Sequence, residues 1–123
     1  MEIPMFKVIA LLSKKPGLSR DEFIEYYETK HVPLIRRLLP QIQEYRRSFL
    51  DLNGAIIAAG VSPPDFDVVT EFWFADRAAY EATLATYGDP SVGDTIRQDE
   101  ENFLDRSKMR FIVVDEYGAS SKS

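Results

Sequence analysis

One residue in this chain of 123 is suited by type alone to accept and give protons near neutral pH: His31, its only histidine. An imidazole close to its ordinary pKa of about 6.5 can act as general acid or general base. The bland alternative is a helix cap or a satisfied buried ring. Three carboxylates bear on the choice. Asp67 and Glu71 share strand parity with Val69 and Trp73, so both would point to one face of the same strand. Asp99 falls on a helical stripe with Val92, Ile96 and Phe103, at i, i+4, i+7 and i+11. An unpaired carboxylate on an apolar stripe is costly to bury, so it must either find a partner or titrate upward. Either Asp67 or Asp99 beside His31 would orient the imidazole and stabilise its protonated form. The competing readings are structural: Asp67 ends a loop, Glu71 pairs with Arg46 or Arg47, and Asp99 makes a salt bridge or a cap. Phe23, Tyr27, Trp73 and Phe103 could wall a pocket for an apolar substrate, although aromatics at such spacings also make ordinary core.

The elements that must position these groups are marked by local signals. Met5 to Leu12 is a run of strand formers ending at Pro16-Gly17. Ser19-Arg20-Asp21-Glu22 has the form of a capping box, with Leu18 and Phe23 placed as a hydrophobic staple, so a helix starts there. Phe23, Tyr27 and His31 follow at intervals of four, with Leu34 one turn on. Pro33 disfavours helical geometry at Val32, which predicts a break or kink near His31 and a restart through Leu39. Ile42 to Leu50 alternates as a half-buried strand, with Tyr45 and Phe49 on one side. Residues 51–65 hold Asn53-Gly54, Gly60 and Pro63-Pro64 around the apolar run Ala55 to Ala59, which reads as a loop folded over something. Phe66 to Phe74 is the clearest strand. Asp76 and Asp89-Pro90 are N-caps for two more helices, the first with Tyr80, Leu84 and Tyr87 inward. Lys108 to Tyr117 is a last strand, with Met109, Phe111 and Val113 facing one way and Ile112 and Val114 the other.

The order βα, ββ, αα, β is the split βαβ, or ferredoxin-like, plan, an α+β fold with an antiparallel sheet. Helices cover one face of such a sheet. Strands one, three and four carry large apolar residues on both faces, and a monomer does not ordinarily leave such a face open. A twofold homodimer packed through its sheets is the expected remedy. Residues 1–118 are read as one domain and 119–123 as a disordered tail.

Composition removes several function classes. The net charge of −5 leaves little basic surface for nucleic acid. With no cysteine and one histidine, zinc-thiolate, iron–sulfur and copper sites lack ligands, as does a cysteine nucleophile. An axial haem ligand at His31 has nothing in its H-x-P context to favour it. No glycine-rich phosphate loop follows a strand. No run is long enough to span a membrane, and the amino end does not read as a signal peptide, so a cytoplasmic protein without cofactor is expected.

The segments Lys7 to Leu12, Lys15-Pro16-Gly17-Leu18-Ser19, Phe23-Ile24-Glu25-Tyr26-Tyr27 and His31-Val32-Pro33-Leu34 resemble the amino-terminal signature of the EthD family. The likeness continues at Asp67 through Trp73-Phe74 and at Asp99 to Asp105. It implies a ferredoxin-like protomer and a dimeric α/β barrel. It also implies a choice of chemistries: ether or aromatic degradation, lactone isomerisation, and dehydration or cyclisation of polyketide-like compounds. The expectation is a cofactor-independent enzyme moving protons on a small hydrophobic molecule, with His31 as acid or base, Asp67 or Asp99 as its partner and the aromatics as the pocket. The alternatives are oxidative catabolism, by cofactor-free oxygenation or as accessory to a monooxygenase, and a non-enzymatic binding or stress-response module.

Overall fold

A computed structural model describes residues 5–118, so the tail at 119–123 lies outside the described residues. Four strands, β1 (Phe6–Leu12), β2 (Glu44–Phe49), β3 (Val68–Phe74) and β4 (Arg110–Val114), form one antiparallel sheet in the order β2-β3-β1-β4. This is the ferredoxin-like arrangement anticipated from the element order. Val8 lies opposite Phe72 and Val113, and Phe72 lies opposite Tyr45, so these residues share a face. Helices α1 (Arg20–Tyr26), α2 (Val32–Leu38), α3 (Arg77–Tyr87) and α4 (Pro90–Glu100) belong to that side.

The first helix begins as its sequence dictates. The Ser19 side chain accepts from the Glu22 N–H at 3.1 Å, and the Glu22 carboxylate accepts from the Ser19 N–H at 2.9 Å. The expected break near His31 does not occur. Tyr27–His31 instead forms a π-helical turn that runs directly into α2, with the Val32 N–H donating to the Tyr27 carbonyl. Pro33 sits in the first turn of α2, where its missing N–H is tolerated. The widened turn also alters the inner stripe. Residues four apart drift by about 40° in an α-helix, but the π turn absorbs that drift, so Phe23, Tyr27, His31, Ile35 and Leu39 are all buried. Ile35, rather than Leu34, continues the inner face.

Asp76 and Asp89 cap α3 and α4, accepting from Ala79 and Ser91 N–H groups at 2.8 and 3.0 Å. The two helices meet closely at Gly93, where an added Cβ would overlap the Tyr87 carbonyl oxygen. The inner stripe of α3 departs from expectation: Thr83 is buried, whereas Leu84 and Tyr87 are exposed. Both border a cavity under α3, which leaves their inner surfaces uncovered.

The 51–65 loop is also corrected. Every residue in it is exposed and Ile56 is completely so, which means the apolar run covers nothing in its own chain. On the helix-free face of the sheet, Ile9, Leu11, Val69, Trp73, Ile112 and Val114 surround Lys7 and Glu71. Lys7 lies 4.4 Å from the Trp73 ring centre and pairs with Glu116 at 2.6 Å and Glu71 at 3.6 Å. Glu71 therefore meets a lysine of β1 rather than an arginine of β2.

Candidate functional site

A cavity of about 410 Å³ lies between the helices and the sheet. Val8, Phe72 and Phe111 rise from the sheet as part of its wall, and Ile35 and Ile96 close it from the helices. His31 projects into it from the π turn. Its Nδ1 is 2.8 Å from Asp99 Oδ2. The other carboxylate oxygen of Asp99 accepts from the Tyr26 hydroxyl at 2.6 Å, and Asn102 Nδ2 donates to that hydroxyl at 2.9 Å. Asp99 is thus held from two sides, and its stripe position on α4 is explained by its partners, Tyr26 at the end of α1 and His31 in the π turn.

An ionised carboxylate can only accept, so Nδ1 carries the proton and the Nε2 lone pair of a neutral ring is left free. Nε2 makes no hydrogen bond among the described residues. No side-chain nitrogen or oxygen among them is both fully occluded and without a partner, so Nε2 keeps some accessible surface, on a ring that lines the cavity. Burial pushes the imidazole pKa below its ordinary value, and the opposing pull of Asp99, through its hydrogen bond and its charge, does not cancel this. At neutral pH the ring is therefore neutral, the form a base requires.

Phe103, fully buried, packs on the His31 ring at 4.8 Å between centres, and the Tyr27 ring meets its edge at 5.5 Å. Tyr27 also reaches the cavity wall. Its hydroxyl bonds Thr70 Oγ1 at 2.6 Å and accepts from the Tyr45 hydroxyl at 3.3 Å, and burial pushes its pKa up to about 12. It is a neutral hydrogen-bonding group at any physiological pH. Tyr45 is likewise pushed well up by burial.

Two charged side chains on the wall were not singled out from the sequence. Glu100, 5% exposed, is held by Arg106 Nε at 3.2 Å, and burial raises its pKa while the guanidinium pulls it down. This contact depends on how α4 meets the turn at Arg106–Lys108. A carboxylate next to Asp99, on the buried side of the helix, was the available signal.

Of the residues expected at the site, the structure brings His31, Asp99, Tyr27 and Phe103 together, and the rest lie elsewhere. Asp67 is corrected: its carboxylate accepts from the Lys14 N–H at 2.7 Å and its own N–H donates to the Leu12 carbonyl, which ties a loop to the end of β1. Trp73 is corrected as well. It lies on the helix-free face, because its odd-numbered parity on β3 opposes that of Thr70 and Phe72. Phe23 and Phe103 are corrected as pocket wall, since neither lines the cavity: Phe23 is buried core packed on Phe49 and Phe103, and Phe103 packs on the His31 ring without reaching the hollow.

A family model described as the EthD domain matches residues 15–107. Among solved structures, an ethyl tert-butyl ether d (EthD) family protein from Bacillus halodurans c-125 aligns over 93% of this chain and 100% of its own, at 19% identity and a TM-score of 0.61. An EthD-like protein from Ralstonia eutropha JMP134 aligns over 97% of each chain, at 19% identity and a TM-score of 0.65. A DABB family protein with a ferredoxin-like fold, from Mesorhizobium loti, aligns over 93% of this chain and 98% of its own, at 15% identity and a TM-score of 0.55. At such identities the likeness is one of fold. No curated protein matches the sequence.

Proposed function

The chain belongs to the EthD family, and from that premise we propose that it moves protons on a hydrophobic small molecule held in the cavity. The observation that carries this reading is the His31–Asp99 pair with its imidazole lining an apolar hollow of about 410 Å³. That volume is in the range of small-molecule sites. Nε2 would take a proton from a carbon next to a carbonyl, the C–H electron pair moving to the carbonyl oxygen to leave an enolate. The imidazolium, steadied by Asp99, then returns the proton to another carbon or to the oxygen. Isomerisation, cyclisation and dehydration of aromatic or polyketide-like compounds all begin with this step, and it calls on no redox change. Tyr26 and Asn102 fix the carboxylate, and Phe103 fixes the ring.

Proton–deuterium exchange tests the reading with a defined probe. The protein should speed exchange of the acidic methylene of 2-tetralone in D₂O, read by proton NMR. His31→Ala should lose that acceleration while keeping its circular dichroism spectrum. Undiminished exchange in a folded His31→Ala protein would remove the histidine from the chemistry.

The working unit on this reading is a homodimer. Ile9, Leu11, Val69, Trp73, Ile112 and Val114 give the helix-free face an apolar surface that a second copy, presenting the same patch across a twofold axis, would cover.

A further inference from the structure

We infer that Arg106, braced by Glu100, is the carboxylate-binding subsite of the cavity, so that the ligand is a hydrophobic molecule ending in a carboxylate. The inference rests on the reading of the cavity as a ligand site. Glu100 and Arg106 are the charged side chains on a wall otherwise made of His31, apolar residues, tyrosines and one threonine. That threonine, Thr83, already donates to the Ala79 carbonyl. Among the described residues, the Arg106 side chain makes a single polar contact, Nε to Glu100 Oε1 at 3.2 Å.

A guanidinium carries five N–H donors in a rigid plane, and its terminal edge matches the two oxygens of a carboxylate. Among the described residues, the two terminal nitrogens of Arg106 make no hydrogen bond. The side chain both lines the cavity and is about one-third exposed, so it stands where the cavity meets solvent. Glu100, almost wholly buried, anchors the inner edge and aims the outer one. The result is an amphipathic site, with a greasy chamber holding His31 and a cationic fork at its rim. A ligand seated by that fork would place its apolar body, and any C–H acid in it, in the chamber.

The test uses 2-naphthoate and its neutral counterpart 2-naphthamide, titrated by calorimetry against the wild type and the Arg106→Gln and Arg106→Lys variants. The wild type should bind 2-naphthoate at least about tenfold more tightly than 2-naphthamide, the weight of one charge-assisted contact. Arg106→Gln should abolish the preference and leave 2-naphthamide affinity unchanged. Arg106→Lys, which keeps the charge near Glu100 and loses the fork, should retain only part of it and supplies the result if the glutamine variant does not fold. Equal binding of the two probes by the wild type, or an unchanged preference in a folded variant, overturns the subsite and leaves the cavity reading intact. Binding of neither probe overturns both. A loss of thermal stability in Arg106→Gln without any change in preference would reduce the pair to a structural salt bridge.

Discussion

Replacing Asp99 by asparagine changes one atom and should remove most of the proposed chemistry. The side chain faces two partners, Tyr26 OH at 2.6 Å and His31 Nδ1 at 2.8 Å. With the amide oxygen toward Tyr26 and the NH₂ toward His31, every group is satisfied only if Nδ1 becomes an acceptor. The ring proton then moves to Nε2, and the cavity faces a donor instead of a base. With the amide reversed, His31 keeps its productive tautomer, but the Tyr26 hydroxyl receives hydrogen bonds from both Asn102 and the new amide and loses its acceptor. That lost bond costs about 1 kcal/mol, so roughly a sixth of the molecules keep a usable ring. The neutral amide also gives up the charge-assisted bond that steadies the imidazolium, worth about 1.5–3 kcal/mol, or a further factor of roughly 10 to 150. Together these predict a fall in the 2-tetralone exchange rate of roughly 50-fold to several hundredfold. Because the chain has a single histidine, nitrogen-15 NMR of the ring reads the tautomer without assignment: protonated Nδ1 in the wild type, mainly protonated Nε2 in Asp99→Asn. An Nε2–H ring in the wild type, or an exchange rate in Asp99→Asn within twofold of wild type, would refute the reasoning.

Two further outcomes follow from the structure. The His31 ring should titrate below its ordinary value of 6.5, because burial outweighs Asp99; between those two pH values the unfolded chain binds the extra proton, so this group's contribution to stability is full above 6.5 and falls as pH drops toward the folded value. Glu100, with its pKa raised above 4.5 by burial, acts in the opposite sense as pH rises; denaturant melts across pH in a Glu100→Gln background isolate the histidine, and a ring midpoint above 6.5 would contradict the site's electrostatics. For the assembly, Ile112→Lys on the open sheet face, where the side chain is 45% exposed, should shift sedimentation from dimer to monomer with little change in the protomer's circular dichroism, whereas an unaltered dimer would place the interface elsewhere.

The parts of this molecule written in short-range code are readable in the sequence. The Ser19–Glu22 box and the Asp76 and Asp89 caps act over two or three residues, and the structure has each of them. Asp99 was legible as an anomaly because helical spacing placed it on an apolar stripe, but its partners lie 68 and 73 residues away, and spacing says nothing about which helix will face it. The misplacement of Asp67 and Trp73 has a related cause. Strand parity groups residues onto one face, yet β3 is apolar on both, so the sequence does not tell which face receives the helices. Arg106 sits in a turn, with no periodicity in the sequence to mark it. For the 51–65 loop, composition reports an apolar segment without reporting whose surface it would seek.

The widened turn at Tyr27–His31 makes His31 a splice point. On one side, α1 is registered by its cap at Ser19 and by Phe23 in the core; on the other, α2 is registered by Ile35 and Leu39. Neither seven-residue segment fixes the imidazole alone, so its bearing is the compromise between two independently anchored cylinders. Deleting one residue between them would turn α2 by about 100° relative to α1, and the protein would have to surrender either the seat of Ile35 or the aim of His31. The reactive ring is therefore indexed to the hydrophobic core in both directions along the chain, and core substitutions far from the cavity will register as changes in its direction.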